Sequence, residues 1–453
     1  MTIKVPFSFF DIRSSLWYRP AIMTVIAILM SFLTIWLDHT LFREERIQAW
    51  WLFEGGAEGA RGVLSAIAST TMTVATTAFS FTLVALQLSS SQYSPRIVRN
   101  FTGDRSNQLV IGIFVSTFVY SLLVLRVVRS EYGDRDRFVP AISVTVALLL
   151  AMVCIAALIY FFHHATRTIQ ASVIITRTTE QASTVIGGAR ERLVDDGSCR
   201  LSATPFPRPP GLRPVGIVRG PNSGYVQKII HDRLVSLATE HNLLVEVNAR
   251  PGSFLLPDDP RLTIWAYPEP SAVDRRDDEE EENGTLVDAF DQLVEIGLER
   301  TLEADIIFGL QQVADIALRA LSPGVNDPNT AIDSLDRIGE LLVRMEPTNG
   351  AESARLDDAG VMRVLHPEVT WDEMVNAAFM QLRHYSAGDM GAAVAVIRMA
   401  GRLRAHVRPA SRPALETVAR DMAQAALGTL EIETDRDLIR RELDALGLGQ
   451  GEA

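Results

Sequence analysis

The chain has 453 residues, of which 47% are hydrophobic, and its formal net charge at neutral pH is −12. Residues 1–167 contain 14 Lys and Arg and 10 Asp and Glu, which gives a net charge of +4. The other 29 basic and 45 acidic residues lie in 168–453, which therefore has a net charge of −16. The acidic residues 168–453 would repel nucleic acid, so a nucleic-acid function is excluded. The chain has only two cysteines, Cys154 and Cys199, which excludes a disulfide framework.

The first 167 residues contain four long apolar stretches without a charged side chain. About 20 apolar residues are enough for a helix to cross the hydrocarbon core of a bilayer. The pattern therefore predicts a transmembrane domain over 1–167, with spans at about 20–37, 63–88, 106–125 and 138–162.

The distribution of basic residues predicts the orientation of these spans. An even number of spans puts both termini on one side, where the segments outside the spans and the start of the tail carry ten Lys and Arg, against seven on the other side. Cytoplasmic segments carry the excess of Lys and Arg. We therefore expect a multi-pass protein of the inner (plasma) membrane with both termini in the cytoplasm.

The second span differs from the others because it is rich in hydroxyl groups. At 100° per residue, one face of this helix carries six polar side chains: Ser65, Ser69, Thr73, Thr76, Ser80 and Gln87. Small and hydroxyl residues allow close packing of transmembrane helices, which is one interpretation. The other is a pore lining, in which hydroxyl groups replace the hydration of an ion or solute. No Asp, Glu, Lys or Arg lies within a predicted span, so a passive conduit fits better than a coupled transporter.

A short basic turn follows the second span and contains Arg96, Arg99 and Arg105. These arginines fit the positive-inside topology signal. In a symmetric oligomer they would also form a ring that attracts anions.

The remaining chain is predicted to be an α+β cytosolic region made of a small β module followed by a helical domain. A helical and proline-rich connector covers 168–213, and short apolar runs between Gly, Pro and Asp turns predict the β-rich module over 214–270. The predicted segments after it are an acidic disordered loop, 271–285, and the helical domain, 286–453.

A polar turn lies within the helical domain. Asp327 followed by Pro328 predicts a helix start, with Asp327 as the N-cap. Polar side chains gather around it, which is typical of a helix corner and is also compatible with a ligand or subunit contact: Ser322, Asn326, Asp327 and Asn329.

Motifs for catalysis are absent from the sequence. It contains no phosphate-binding loop, dinucleotide fingerprint, HExxH, CxxC or GxSxG pattern, and its histidines do not have metal-ligand spacing. We therefore expect neither an enzyme nor a cofactor nor a metal site.

Two long stretches resemble a known group of proteins. FSFTLVALQLSSSQYSPRIVRNFTGDRSNQLVIGIFVSTFVY, residues 79–120, and DIALRALSPGVNDPNTAIDSLD, residues 315–336, are similar to the bacterial predicted-membrane-protein family catalogued as domain of unknown function 2254. The resemblance implies a multi-span membrane protein with a soluble C-terminal part, and it implies no chemistry.

Two hypotheses of function follow from the sequence. In the first, the chain is a homo-oligomeric channel for an ion or small solute, lined by the second span and regulated by the cytosolic domain. In the second, it is a membrane-anchored sensor or scaffold whose cytosolic helical domain binds a ligand or partner. Its expected partners are the lipid bilayer and further copies of itself, and not nucleic acid.

Overall fold

A computed structural model of the chain describes residues 17–41, 52–92, 105–129, 138–168, 170–268 and 286–449. The chain divides into two compact units, Met1–Val173 and Ile174–Ala453, called here the membrane unit and the soluble unit. The predicted acidic loop, 271–285, lies outside the described residues, as do Arg96 and Arg99. The finer domain limits drawn from the sequence stay predictions.

The membrane unit consists of four helices in its described part, each long and apolar enough to cross a membrane. They are α1 (Tyr18–Leu41), α2 (Ala57–Gln92), α3 (Arg105–Val127) and α4 (Ala141–Thr168). The prediction of four spans followed by a mixed α and β region is confirmed. The mean hydropathy of the best window is lowest for α2, at 1.3, against 2.2, 2.2 and 2.9 for the other three.

Helix α3 packs against α1, α2 and α4, and half of its best window is buried within the unit. Its Tyr120 is fully buried, where the hydroxyl lies 2.9 Å from the Thr34 hydroxyl and donates to the Ser143 carbonyl at 3.1 Å. One buried side chain therefore joins three of the four helices through polar contacts.

Asp38 is a buried carboxylate near the end of α1. The sequence placed it one residue beyond the first span, but the helix continues to Leu41 and Asp38 is 1% exposed. Its oxygens accept hydrogen bonds from the backbone N–H groups of Ile142 and Ser143 at 2.8 and 2.9 Å and from the Ser143 hydroxyl at 2.6 Å. These are N–H groups of the first turn of α4, which have no partner within their own helix. Asp38 therefore caps a neighbouring helix.

The soluble unit combines helices with two small sheets. After α5 (Ala171–Arg190), which begins in the membrane unit, a π-helical turn covers Glu191–Asp195. The elements that follow are β1 (Cys199–Ser202), β2 (Arg213–Arg219), β3 (Gly224–Ile229), α6 (His231–Glu240), β4 (Leu243–Val247), β5 (Phe254–Leu255), β6 (Pro260–Ala266), β7 (Val294–Gly297), α7 (Ile306–Ala320), α8 (Pro328–Met345), β8 (Glu352–Leu356), β9 (Met362–Pro367), α9 (Trp371–Ser386), α10 (Met390–Arg404), α11 (Arg412–Thr429) and α12 (Glu433–Ala445).

The larger sheet has the strand order β1-β8-β9-β4-β6-β2, and the smaller one β5-β3-β7. Neighbouring strands are antiparallel except β4 and β9, which pair in parallel with Val245 opposite Val364. Strands β7, β8 and β9 lie within 286–453, where the sequence predicted helix, and β1 lies in the predicted connector. Each has only four to six residues, so its local pattern was too short to indicate a strand. β8 and β9 pair with each other as a hairpin, and all four strands also pair with a distant segment.

Helices α7 to α10 begin where a side chain accepts a hydrogen bond from one of their first N–H groups. The Asp327 carboxylate accepts from the Thr330 N–H, with Pro328 at the first helical position of α8, which confirms the predicted helix start. Thr370 and Glu373 form a reciprocal capping box at the start of α9. Helices α7 to α12 share one apolar core, and β3, β4, β6 and α6 contribute to another.

Candidate functional site

The polar side chains predicted for the second span lie together on the exposed side of α2. The hydroxyl face, defined as Ser65, Ser69, Thr73, Thr76, Ser80 and Gln87, is exposed throughout in the single chain. The opposite side of α2, which includes Leu64, Thr71, Ala75 and Ala78, is buried in the unit. The hydroxyl face therefore points away from the other three helices of its own chain, and helix packing within the chain does not account for it.

Hydroxyl groups of this face bind carbonyl oxygens of their own helix. The Thr73 hydroxyl donates to the Ser69 carbonyl at 2.9 Å, and the Thr76 hydroxyl to the Met72 carbonyl at 3.0 Å. With the proton directed to the backbone, the lone pairs of each oxygen stay free to accept from water or to contact a cation.

Of the predicted basic turn, only Arg105 is among the described residues, where it is the first residue of α3 and is exposed. The proposed ring of Arg96, Arg99 and Arg105 stays a prediction.

The polar corner before α8 is held by its own hydrogen bonds. The Ser322 hydroxyl donates to the Arg319 carbonyl at 2.6 Å, and the Asp327 carboxylate accepts from the Thr330 hydroxyl at 2.6 Å. Asn326 has a positive φ of 49°, and its backbone N–H donates to the Ser322 carbonyl. Asn329 is exposed. These contacts describe a helix corner, and a ligand or subunit contact there stays a prediction.

The soluble unit contains a cavity of about 440 Å³ that the sequence did not reveal. Its walls come from chain segments that are far apart in the sequence: 189–193, 228–232, 250–253, 300–307, 355 and 366–369. The lining includes five Lys and Arg side chains, two His and four Asp and Glu: Arg192, Lys228, Arg250, Arg300, Arg355, His231, His366, Asp232, Glu303, Asp305 and Glu368.

Arg192 and Arg355 bring two cations together at one wall of this cavity. The Arg355 side chain is 5% exposed; it forms an ion pair of 3.3 Å with Asp196 and donates to the Arg192 carbonyl at 3.4 Å. Its Nε is buried without a hydrogen-bond partner. The Arg192 guanidinium has no hydrogen bond or ion pair with any residue that the structure describes. Burial lowers the pKa of Arg192, the charge of Glu368 opposes that shift, and the positive charge of Arg355 adds to it.

A histidine pair lies beside these arginines. The rings of His231 and His366 are 5.1 Å apart and nearly perpendicular. His366 Nδ1 lies 2.9 Å from the Glu368 carboxylate, and its Nε2 is buried without a partner. Burial lowers the pKa of His231 well below its usual range, and the charges of His366, Arg355 and Arg192 lower it further, so His231 is neutral at pH 7.

Glu368 provides the negative charge of this cluster. Burial alone would raise the pKa of its carboxyl, but the charge of His366 and hydrogen bonds from His366 and Ser353 hold it below the usual range. The Ser353 hydroxyl donates to the same Oε1 atom that contacts His366, at 2.7 Å. Glu368 is thus ionised and already engaged by two neighbours.

Two further arginines of the lining have their own partners. Arg250 forms two hydrogen bonds with the Glu373 carboxylate, at 2.7 and 2.8 Å, and Arg300 pairs with Asp305 at 2.6 Å. Gly252 turns the loop between them with φ of 87°, and a Cβ atom there would lie 2.0 Å from Asp305 Oδ2. Only glycine fits this position.

Sequence reasoning missed the cavity because its residues share no local spacing. Arg355 and His366 come from strands that were not predicted, and Arg192 follows a helix that was interpreted as a connector. Among the residues that the structure describes, no group of three His, Cys, Asp or Glu is arranged to hold a metal ion.

Four apolar helices followed by a mixed sheet and further helices define a multi-pass membrane protein with a soluble α+β part. The chain belongs to the family described as "Predicted membrane protein (DUF2254)", which its residues 13–401 match. It is 31% identical over 393 residues to the uncharacterized protein Rv1290c of Mycobacterium tuberculosis and, to the same extent, to the uncharacterized protein Mb1321c of Mycobacterium bovis. The match covers 86% of this chain and 72% of each relative. No solved structure matches the chain.

Proposed function

We propose that several copies of this chain assemble a passive conduit for an ion or small solute, lined by the hydroxyl face of α2. The observation that carries the proposal is the direction of that face, which points away from the three other helices of its chain. A pore with this lining has to form between copies, because helices α3 and α4 of the same chain pack against the opposite, buried side of α2.

The chemistry of the face supports a conduit rather than a lipid-facing surface. It presents hydroxyl groups from Ser65 to Ser80, over about four turns of α2, and their lone pairs would be left without partners in hydrocarbon. Water or a passing solute supplies those partners in a pore. The face carries no ionised side chain, as expected for passage without coupling to a proton or second ion. The proposal assigns no catalytic step to the protein.

The orientation belongs to the same proposal. We place the soluble unit and both termini on the cytoplasmic side of the inner membrane, because ten Lys and Arg lie on that side against seven on the other. The soluble unit would then regulate or assemble the conduit from the cytoplasm.

Conductance of the purified protein in planar bilayers tests the conduit directly. We expect discrete conductance steps, which Thr73→Val changes because it replaces a hydroxyl of the lining by a methyl group of the same shape. Thr71→Val is the matched control, since Thr71 lies on the buried side of the same helix. The proposal would be contradicted if folded oligomers gave no conductance in the bilayers, or if the two variants changed the conductance equally.

Cysteine accessibility tests the lining and the orientation in one experiment. In a Cys199→Ser background, a membrane-impermeant thiol reagent should label cysteines at positions 69, 73, 76 and 80, but not at 67, 74 and 78. A cysteine at the exposed Glu431 should react only in inside-out vesicles. Protection of all seven span positions would favour a scaffold, and labelling of position 431 in right-side-out vesicles would reverse the orientation.

A further inference from the structure

We propose that the cavity of the soluble unit is a binding site for a small organic phosphate, held at Arg192 and Arg355. This inference does not depend on the conduit, because it concerns a different unit and a different set of residues. It gives the alternative hypothesis, a membrane-anchored sensor, a defined ligand site.

The size and composition of the cavity suit a small molecule. Its volume of about 440 Å³ lies within the range of about 300–1,000 Å³ that is common for ligand sites. Apolar side chains, including Ile229, Ile306 and Ile307, share the lining with the charged groups. An apolar surface beside a cluster of charges fits a molecule that carries both an organic body and an ionised group.

The net charge of the cavity lining is positive, whereas the net charge of residues 168–453 is negative. Residues 168–453 carry a net charge of −16, yet the lining has one more Lys and Arg than Asp and Glu, besides its two histidines. The carboxylates are also largely engaged or peripheral. Asp305 is paired with Arg300, Glu368 is bound by His366 and Ser353, and Asp232 and Glu303 are exposed. Among the four arginines of the lining, Arg192 is therefore the one that has no ion pair with a described residue.

Arg192 is the clearest sign of a missing anion. Arg192 is half-buried, and a cation that is partly removed from water normally has a partner, because an unpaired charge outside water is costly. Arg192 has no ion pair among the described residues. Its charged neighbours are Glu368, which His366 and Ser353 already bind, and a second cation, Arg355. An anion beside them would supply the acceptor that the Arg192 guanidinium lacks, and the Nε of Arg355, which is buried without a partner, would gain one as well.

A phosphate group fits this wall better than a carboxylate. Two adjacent guanidinium groups are offset by the charge of about −1.5 to −2 that a phosphate monoester carries at pH 7. One carboxylate supplies a single negative charge and two acceptor oxygens, whereas a phosphate monoester supplies three terminal oxygens for the two planar donors. The organic body of the ligand would then lie on the apolar part of the lining.

Titration calorimetry on the full chain in detergent tests this site. The probes are pyrophosphate, ADP and glucose 6-phosphate, with citrate as the carboxylate comparison at matched ionic strength. We expect saturable binding of at least one phosphate probe to the wild-type protein, with citrate binding at least tenfold more weakly. Failure of all three phosphate probes to bind, or equally tight binding of citrate, would overturn the proposal.

Variants of Arg192 separate a ligand contact from a structural role. Arg192→Gln should weaken binding of the phosphate probe at least tenfold. Arg402→Gln should leave that binding unchanged, because Arg402 is 69% exposed and lies outside the cavity. Without ligand, the melting temperature of Arg192→Gln should not fall, since no described residue forms a hydrogen bond or ion pair with the Arg192 guanidinium. Arg192→Lys, which keeps the charge but loses the planar donors, should bind with intermediate strength. Weaker binding with a lowered melting temperature in both Arg192 variants would indicate a structural role and overturn the inference.

Discussion

Polar side chains face outward on α2 of the membrane unit and inward on the cavity of the soluble unit. On α2 the polar groups are uncharged hydroxyls of one continuous helix, spaced so that a helical projection brings them together. In the soluble unit they are ionised groups of six separate segments, brought together only by the fold. The first arrangement suits contact with something outside the chain, and the second suits enclosure of something small.

The same contrast applies to the groups that stabilise each unit. Polar contacts such as those of Asp38 and Tyr120 link helices within the membrane unit, whereas the helices of the soluble unit share a large apolar core. Substitutions in the two units should therefore change the free energy of unfolding by different amounts and for different reasons. Three predictions test that difference.

The largest effect is expected in the apolar core of the soluble unit. Phe379 on α9 is 1% exposed, and Phe379→Ala should lower the free energy of unfolding by about 3–5 kcal/mol through lost burial and a new cavity. The next residue, Met380, is 57% exposed, so Met380→Ala should change it by about 0.5 kcal/mol at most. Denaturant unfolding followed by tryptophan fluorescence measures both. Similar losses for the two variants would contradict this description of the core.

An intermediate effect is expected at Asp38 in the membrane unit. Asp38→Ala removes three hydrogen bonds and leaves two N–H groups at the start of α4 without their acceptor, which should cost about 2–3 kcal/mol. Thr40→Ala is the control, because the exposed Thr40 hydroxyl binds only carbonyl oxygens of its own helix. Unfolding in mixed micelles of increasing SDS content gives the comparison. If Asp38→Ala were as stable as Thr40→Ala, the capping role would be refuted.

The smallest effect concerns pH and the ion pair of Glu373. Its two hydrogen bonds with Arg250 lower the pKa of the Glu373 carboxyl from 4.5 to about 2. A depressed carboxyl pKa stabilises the fold above pH 4.5, and that contribution is lost as the pH falls from 4.5 toward 2. Because the Glu373 side chain is 45% exposed, we expect less than about 1 kcal/mol from it.

The variant Glu373→Gln checks this assignment. Its unfolding free energy should depend less on pH between 5 and 3 than that of the wild-type protein. Glu431→Gln, at an exposed position, should keep the full dependence. An unchanged pH profile for Glu373→Gln would show that the ion pair contributes nothing measurable.

The sequence was sufficient for the features that depend on local pattern. Four spans follow from uninterrupted apolar length, the hydroxyl face of α2 from helical periodicity, and the start of α8 from Asp327 and Pro328. Helix α2 begins at Ala57, before the predicted span of about 63–88, because Arg61 and the small residues around it are compatible with a helix outside the hydrocarbon. The limits of the span itself stay a prediction.

Features that depend on distant pairing were not predictable in this way. Strands β8 and β9 are short; they pair with each other as a hairpin, and only β1 and β4, which are distant in the sequence, join that hairpin to the larger sheet. The cavity depends on this pairing, since Arg355 and His366 reach it from those two strands. No spacing rule joins Arg192 to Arg355, so their proximity could be read only from the folded chain.

The parallel pairing of β4 with β9 also determines when the cavity can exist during protein synthesis. Val245 pairs with Val364, so the larger sheet stays incomplete until the ribosome has added roughly 120 further residues, which takes about 6–24 seconds at about 5–20 residues per second. During that interval α1 to α4 have already been made. Arg192 and His231 have also been made, but β8 and β9, which carry Arg355 and His366, have not. Membrane insertion can therefore precede ligand binding, and a nascent chain stalled before β8 would present four spans but no ligand site.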